Sequence, residues 1–274
     1  MRKTISNRYF NEENALDHIK DTDIISSKFA EEDSEEGCLW MVRNVSFRDC
    51  GFSTRYPLWI AEGFTLERSE GDENARSAFW YAKQGIIADC DWKGPKALRE
   101  CRDVEIRSSR WKSDEFGWRS EGIKIKEGSI ESDYLFLGAR NVELEHVQIT
   151  GKYSFQYMED LMISDCKLDT KDALWHSRNV TVKDSVLNGV YCGWFSEGLT
   201  LVNCHIRSYM PFFSCKNLKL IDCTMEDAEM CFLLSEVDAH IKGHINSYYE
   251  PLSGSITCDS AGKIIKGDGS DRSA

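Results

Sequence analysis

Apolar and polar positions along this chain recur with a period of 19 residues. Counted from Asn44, equivalent points fall at Gly63, Gln84, Asp103, Gly122, Asn141, Asp160, Asn179, Gly198, Asn217 and Glu236, and only the step from Gly63 to Gln84, 21 residues, departs from 19. One position beyond these points the chain places Val45, Phe64, Val104, Ile123, Val142, Leu161, Val180, Leu199 and Leu218, with Gly85 among them. Three positions beyond stand Phe47, Leu66, Ile87, Ile106, Ile125, Leu144, Ile163, Val182, Leu201 and Leu220. Two inward positions around one outward position describe a short strand. A second strand is predicted at steps six and eight, where small residues (Cys50, Ser69, Cys90, Ser109, Cys166, Ser185, Cys204, Cys223) precede large ones such as Phe52, Trp92, Trp111, Ile149 and Ile206. A third is predicted around step fourteen, at Leu58, Phe79, Leu98, Phe136, Phe155, Leu174 and Phe212. A unit this short cannot bury its apolar face alone, so the coils must stack.

The points themselves are Asn, Gly, Asp, Gln or Glu, types that tolerate the left-handed backbone of a tight corner. The residue before each runs Glu62, Lys83, Arg102, Glu121, Arg140, Glu159, Arg178, Glu197, Lys216, nearly alternating in sign. Stacked strands lie about 4.8 Å apart, so each charge is expected to face opposite charges above and below and to oppose slippage by one coil. The architecture predicted is all-β, a single-domain parallel β-helix of about 12 coils: residues 1–20 as an N-terminal cap, 21–262 as the solenoid, 263–274 as a flexible tail. Asp21 fits as an earlier repeat point and Ser255 as the start of a last partial coil.

Composition narrows the function classes. A net charge of −12 opposes binding to nucleic acid or to an anionic membrane surface. No apolar run is long enough to span a bilayer, and no signal peptide is visible. The 11 cysteines are odd in number and lack a C-x-x-C pair, and five of them, Cys50, Cys90, Cys166, Cys204 and Cys223, fall in one column of small inward residues. They read as buried free thiols, hence a cytoplasmic protein without a metal or cofactor.

The coil Asn-Val-x-Leu-x-x-Cys/Ser-x-Ile, as in Asn179-Val180-Thr181-Val182-Lys183-Asp184-Ser185-Val186, resembles the right-handed parallel β-helices of the pectin-lyase-like superfamily. It is most similar there to a mostly bacterial family known only as a domain of unknown function. The resemblance implies a right-handed helix over about residues 20–262. Superfamily members of known activity cleave or bind acidic polysaccharides. The Gly-His-Gly signature of polygalacturonases does not occur here, and no acidic cluster beside an arginine suggests the calcium site of pectate lyases.

Two places could carry chemistry. Step five stacks Glu127, His146 and Asp165 on consecutive coils, the composition of an acid/base site. Asp at this step also recurs just before the inward Cys, where a bend needs a side chain to cap backbone N–H groups. The second place is an aromatic surface at steps fifteen and sixteen: Trp118, Arg119, Tyr157, Trp175, His176 and Trp194, with Gly138 leaving a gap in the column. Such a surface suits sugar stacking or a protein partner. The function expected is a non-catalytic cytoplasmic scaffold binding a protein or sugar-like ligand through this face. The alternative is a lyase or hydrolase acting on a polysaccharide or sugar acid.

Overall fold

The computed structural model describes residues 2–30 and 37–266. The chain is an all-β parallel solenoid of about 14 turns, where the sequence predicts about 12. It divides into two compact units, Met1–Val142 and Glu143–Ala274.

In the first unit the repeat register is that of the sequence: Val45 pairs with Phe64 and Phe47 with Leu66, and later Val104 with Ile123 and Ile106 with Ile125. These side chains are buried, as are Cys50, Ser69, Cys90 and Ser109 on the second strand side. The core is rich in rings. Phe79 packs against Phe64 at 5.6 Å and Trp92 at 5.0 Å between centroids, and Trp92 lies 6.1 Å from Trp111. Two glycines make room for this. A Cβ on Gly85 would lie 2.2 Å from the Phe64 ring, and one on Gly71 would lie 2.4 Å from the Trp92 indole. The gap that Gly85 leaves in its column is thus filled by its neighbour's ring.

Residues 1–20, expected as a cap, contribute strands Lys3–Ser6 and Tyr9–Phe10. They pair like any coil, Ile5 with Ile24 and Phe10 with Phe29. Two turns account for most of the difference in coil count: this one, and the one at the other end.

In the second unit Leu161 pairs with Val180, Val180 with Leu199, and Ile163 with Val182. The core here is mainly aliphatic, with Phe155, Phe212 and Phe232 on the third side. The final coil is the strand Ser253–Ile265. Its register sets Glu236 against Ser253, so the coil is two residues shorter than the Ser255 alignment implies. Of the expected tail 263–274, residues 263–265 belong to this strand, and 267–274 lie outside the described residues.

The third side of most of the described coils is not a strand. It is a run of turns in which alternate residues take positive φ, for example Tyr153, Phe155 and Tyr157 at 59°, 60° and 56°. Bulky residues in this conformation each cost on the order of 1–2 kcal/mol. The cost is offset because N–H groups along this side find carbonyls, either in a neighbouring coil, as His176 does on Trp194 at 2.9 Å and Leu174 on Ser154 at 2.9 Å, or three residues back in the same coil, as Ala82 does on Phe79 at 2.8 Å. The corner prediction holds: Asn44, Gly63, Gln84 and Asp103 have φ of 50–64°, and Asp160, Asn179 and Gly198 of 53–68°.

Candidate functional site

Each unit has a groove at a corner of its coils, and the two differ in what their charges do. In the first unit a groove of about 640 Å³ follows steps five to seven, over a floor of Ser27, Cys50, Ser69 and Cys90. Its two arginines are held by carboxylates, while Lys28, Glu70 and Asp89, which also line it, make no ion pair within 4.0 Å among the described residues. Arg68 grips Asp49 with two N–H groups at 2.8 and 3.2 Å, and Arg110 donates twice to Asp91 at 3.1 and 2.8 Å. The hydrogen bond from Arg68 holds the Asp49 carboxyl below the usual carboxylate range. The segment Arg110-Trp111-Lys112 is part of the same fabric: Lys112 pairs with Glu131 at 3.0 Å and Trp111 is buried.

In the second unit a groove of about 470 Å³ follows the corner between the third side and the first strand. One rail is aromatic. Tyr157, His176 and Phe195 stack with 4.9 Å between successive centroids and interplanar angles of 5° and 13°. All three hold positive φ, so the turn itself throws the rings outward, and all three are exposed. The other rail is the charge ladder Glu159, Arg178, Glu197, Lys216, two residues further along each coil. None of these four has an ion-pair partner within 4.0 Å among the described residues. The same column in the first unit is paired: Glu62 lies 3.7 Å from Arg43 and 3.3 Å from Lys83, and Glu121 lies 3.9 Å from Arg102 and 2.9 Å from Arg140. Beyond Phe195 the aromatic column drops to Ser214, then rises again at exposed Leu234, leaving a notch at the end of the groove.

The tryptophans behind the rail are outward but half-buried. Trp175 and Trp194 stack at 5.0 Å and 3°, and their indole N–H groups donate to the carbonyls of Tyr191 at 2.6 Å and Met210 at 2.8 Å. Each covers one ring face of the other. Tyr157, Trp175, His176 and Trp194 thus come together in one unit. Trp118 and Arg119 belong to the other unit, where Trp118 donates to the Tyr134 carbonyl at 2.6 Å and the Arg99 guanidinium sits over it at 5.4 Å.

The acid/base candidates occupy bends. Glu127, His146 and Asp165 have φ of 62°, 55° and 53°. Ser108 donates to Glu127 at 3.0 Å, and the His146 Nε2 lies 3.6 Å from its neighbour Glu145. No metal-holding group of three or more His, Cys, Asp or Glu occurs among the described residues. All 11 cysteines are free, and ten are buried. Sequence reasoning missed Glu159, Arg178, Glu197 and Lys216 as site residues because a column of alternating charges looks the same whether its members pair or not.

The chain belongs to a family of proteins of unknown function (DUF3737), whose model matches residues 3–273. No curated protein matches it in sequence. Among solved structures it is similar to the Streptococcus pneumoniae surface protein and adhesin PfbA, with 8% identity over 97% of this chain and 88% of that one at a TM-score of 0.38. It is similar to a double mutant of the tailspike protein of E. coli bacteriophage HK620, with 10% identity over 91% of this chain and 60% of that one at 0.44. It is also similar to the A-module of the Azotobacter vinelandii mannuronan C-5 epimerase AlgE6, with 10% identity over 97% and 90% at 0.36.

Proposed function

We propose that this protein is a non-catalytic binding scaffold that takes an elongated protein or sugar-like ligand along the groove of its second unit. The observation that carries the reading is the open ladder: four charges in register beside an exposed aromatic rail, none with an ion-pair partner within 4.0 Å among the described residues. Where the same column serves the fold alone, it is closed by ion pairs.

Binding is favoured over catalysis on geometry. Glu159 and Glu197 stand two coils apart, about 9.6 Å, at the wide limit for a pair of glycosidase carboxylates. Both are exposed on the open corner, with no enclosed pocket around either to exclude water from a reaction. Free buried thiols support a reducing compartment, and we place the protein in the cytoplasm on that ground.

The test is the double variant Arg178→Glu/Lys216→Glu, compared with the natural protein on arrayed peptides and glycans. The variant should stay folded, giving up at most about 1–2 kcal/mol to repulsion among the four stacked glutamates it creates, and less at high salt, while retained partners disappear from it at every salt. Equal retention by both proteins would remove the groove from the reading.

A further inference from the structure

Resting on that groove, we infer that its ligand is a peptide segment in the polyproline II conformation carrying alternating acidic and basic residues. The first argument is repeat length. Arg178 and Lys216 are like charges two coils apart, and so are Glu159 and Glu197; at the strand spacing of a sheet that repeat is about 9.6 Å. A polyproline II helix returns to the same face every three residues, about 9.3 Å. A β-strand presents one face every two residues, about 6.6–6.8 Å, and loses register within one repeat. An α-helix rises 5.4 Å per turn, so it drifts by about 1.2 Å over the same two coils.

The second argument is backbone chemistry. A strand adding to this corner would need free N–H groups, and those along it are already engaged. The N–H groups of His176, Phe195, Arg178, Glu197 and Lys216 are spent on carbonyls of Trp194, Phe213, Met158, Ser177 and Ser196 at 2.8–3.0 Å. Polyproline II makes no internal hydrogen bonds and keeps its own backbone solvated, so it can lie on such a surface without them. Its usual receptor is an aromatic-lined groove, and the edges of Tyr157, His176 and Phe195 supply one, with the Ser214 notch able to take a pyrrolidine ring.

The third argument is charge. With prolines on the rings, the two remaining faces of a three-fold helix straddle the ladder. Acidic residues on one face reach Arg178 and Lys216, and basic residues on the other reach Glu159 and Glu197. A ligand of one sign would leave half the ladder unpaired or repelled.

The experiment uses the full chain and a fluorescent peptide of four Glu-Pro-Lys repeats, read by anisotropy at low and high salt. Binding should weaken at high salt. Four Glu-Gly-Lys repeats, with the same charges and no preorganisation, should bind about tenfold more weakly. Arg178→Glu/Lys216→Glu should abolish binding, and Arg110→Glu in the other groove should not. Equal affinity for the proline and glycine peptides would overturn the inference. So would failure of the proline peptide alongside binding by an oligogalacturonate that the double variant loses; that result would keep the groove and replace the ligand. Binding by neither probe, or binding that the double variant leaves unchanged, would overturn the inference and, in the second case, the groove reading with it.

Discussion

The two units use the same 19-residue grammar for different ends. In the first, rings fill the core and charges pair across coils, so sequence variation is absorbed by neighbours: Phe64 covers for Gly85, and Glu62 serves Arg43 and Lys83 together. In the second, the core is aliphatic and self-sufficient, the outward rings stack in register, and the charges of one corner are left without partners. Trp59 and Trp80 in the first unit carry buried indole N–H groups with no partner among the described residues, whereas Trp175 and Trp194 in the second donate to backbone carbonyls. A repeat unit therefore does not reveal a site; what reveals one is the place where the repeat stops satisfying itself.

The sharpest difference between the units should appear in thiol chemistry. Cys38, Cys50, Cys90 and Cys101 are all buried, and in the second unit only Cys258 is partly open. Native labelling should therefore modify one thiol quickly, Cys258→Ser should remove that signal, and the other ten should react orders of magnitude more slowly, through opening of the fold. Fast labelling of any cysteine in the first unit would break the comparison. Burial also pushes Cys192, Cys215 and Cys231 from 9.0 up to about 12. A pKa raised in the folded state gives stability that is complete below pH 9 and lost as the pH climbs toward 12, so alkaline unfolding should begin above about pH 9. Unchanged denaturant midpoints from pH 8 to 11 would count against this burial.

Next in size is the trade between Gly85 and Phe64. Restoring the column's consensus by Gly85→Val should destabilise the protein by about 2–3 kcal/mol, since the new Cβ meets the ring. Phe64→Val in the same chain should recover much of that loss, a coupling that urea denaturation of the double-mutant cycle reads directly. In the second unit Leu199→Val has no such partner and should cost about 1 kcal/mol. Additive effects at positions 64 and 85 would mean that the ring does not fill the gap.

Trp175→Ala follows. It gives up a half-buried ring, a parallel stack with Trp194 and an indole donor, and should cost about 2 kcal/mol. This side chain is therefore a poor probe of binding alone. Phe195→Ala, exposed at the groove, should cost less than about 1 kcal/mol and is the better one. Equal losses for the two would show that the outer rail also supports the fold.

Most of the fold was legible because it rests on period. Inward columns, corner residues and the charge ladder all follow from counting to 19. The end coils were harder, because strands of two to four residues such as Tyr9–Phe10 carry too few positions to show a pattern. The third side was misread because burial at Phe79, Phe155 and Leu174 resembles one face of a strand, while their backbone is left-handed, which composition does not announce. The site was half legible. Tyr157, Trp175, His176 and Trp194 stood out as aromatics on polar steps, but pairing distances decide which ladder is open, and a sequence carries none.

That last point sets the smallest prediction and the most discriminating one. Glu62→Lys replaces two ion pairs with repulsion from Arg43 and Lys83, and should lower stability by about 0.5–2 kcal/mol, less at high salt. Glu197→Lys occupies the equivalent position in the second unit, flanked by Arg178 and Lys216, yet breaks no pair within 4.0 Å. It should change stability by less than about 0.5 kcal/mol and respond little to salt. Both variants add the same charge at the same step of a coil, one in each unit, so a gap between them reports how far each ladder is closed. Equal, salt-sensitive losses would mean that the ladder of the second unit closes in solution, and the groove would then be as occupied as its counterpart in the first.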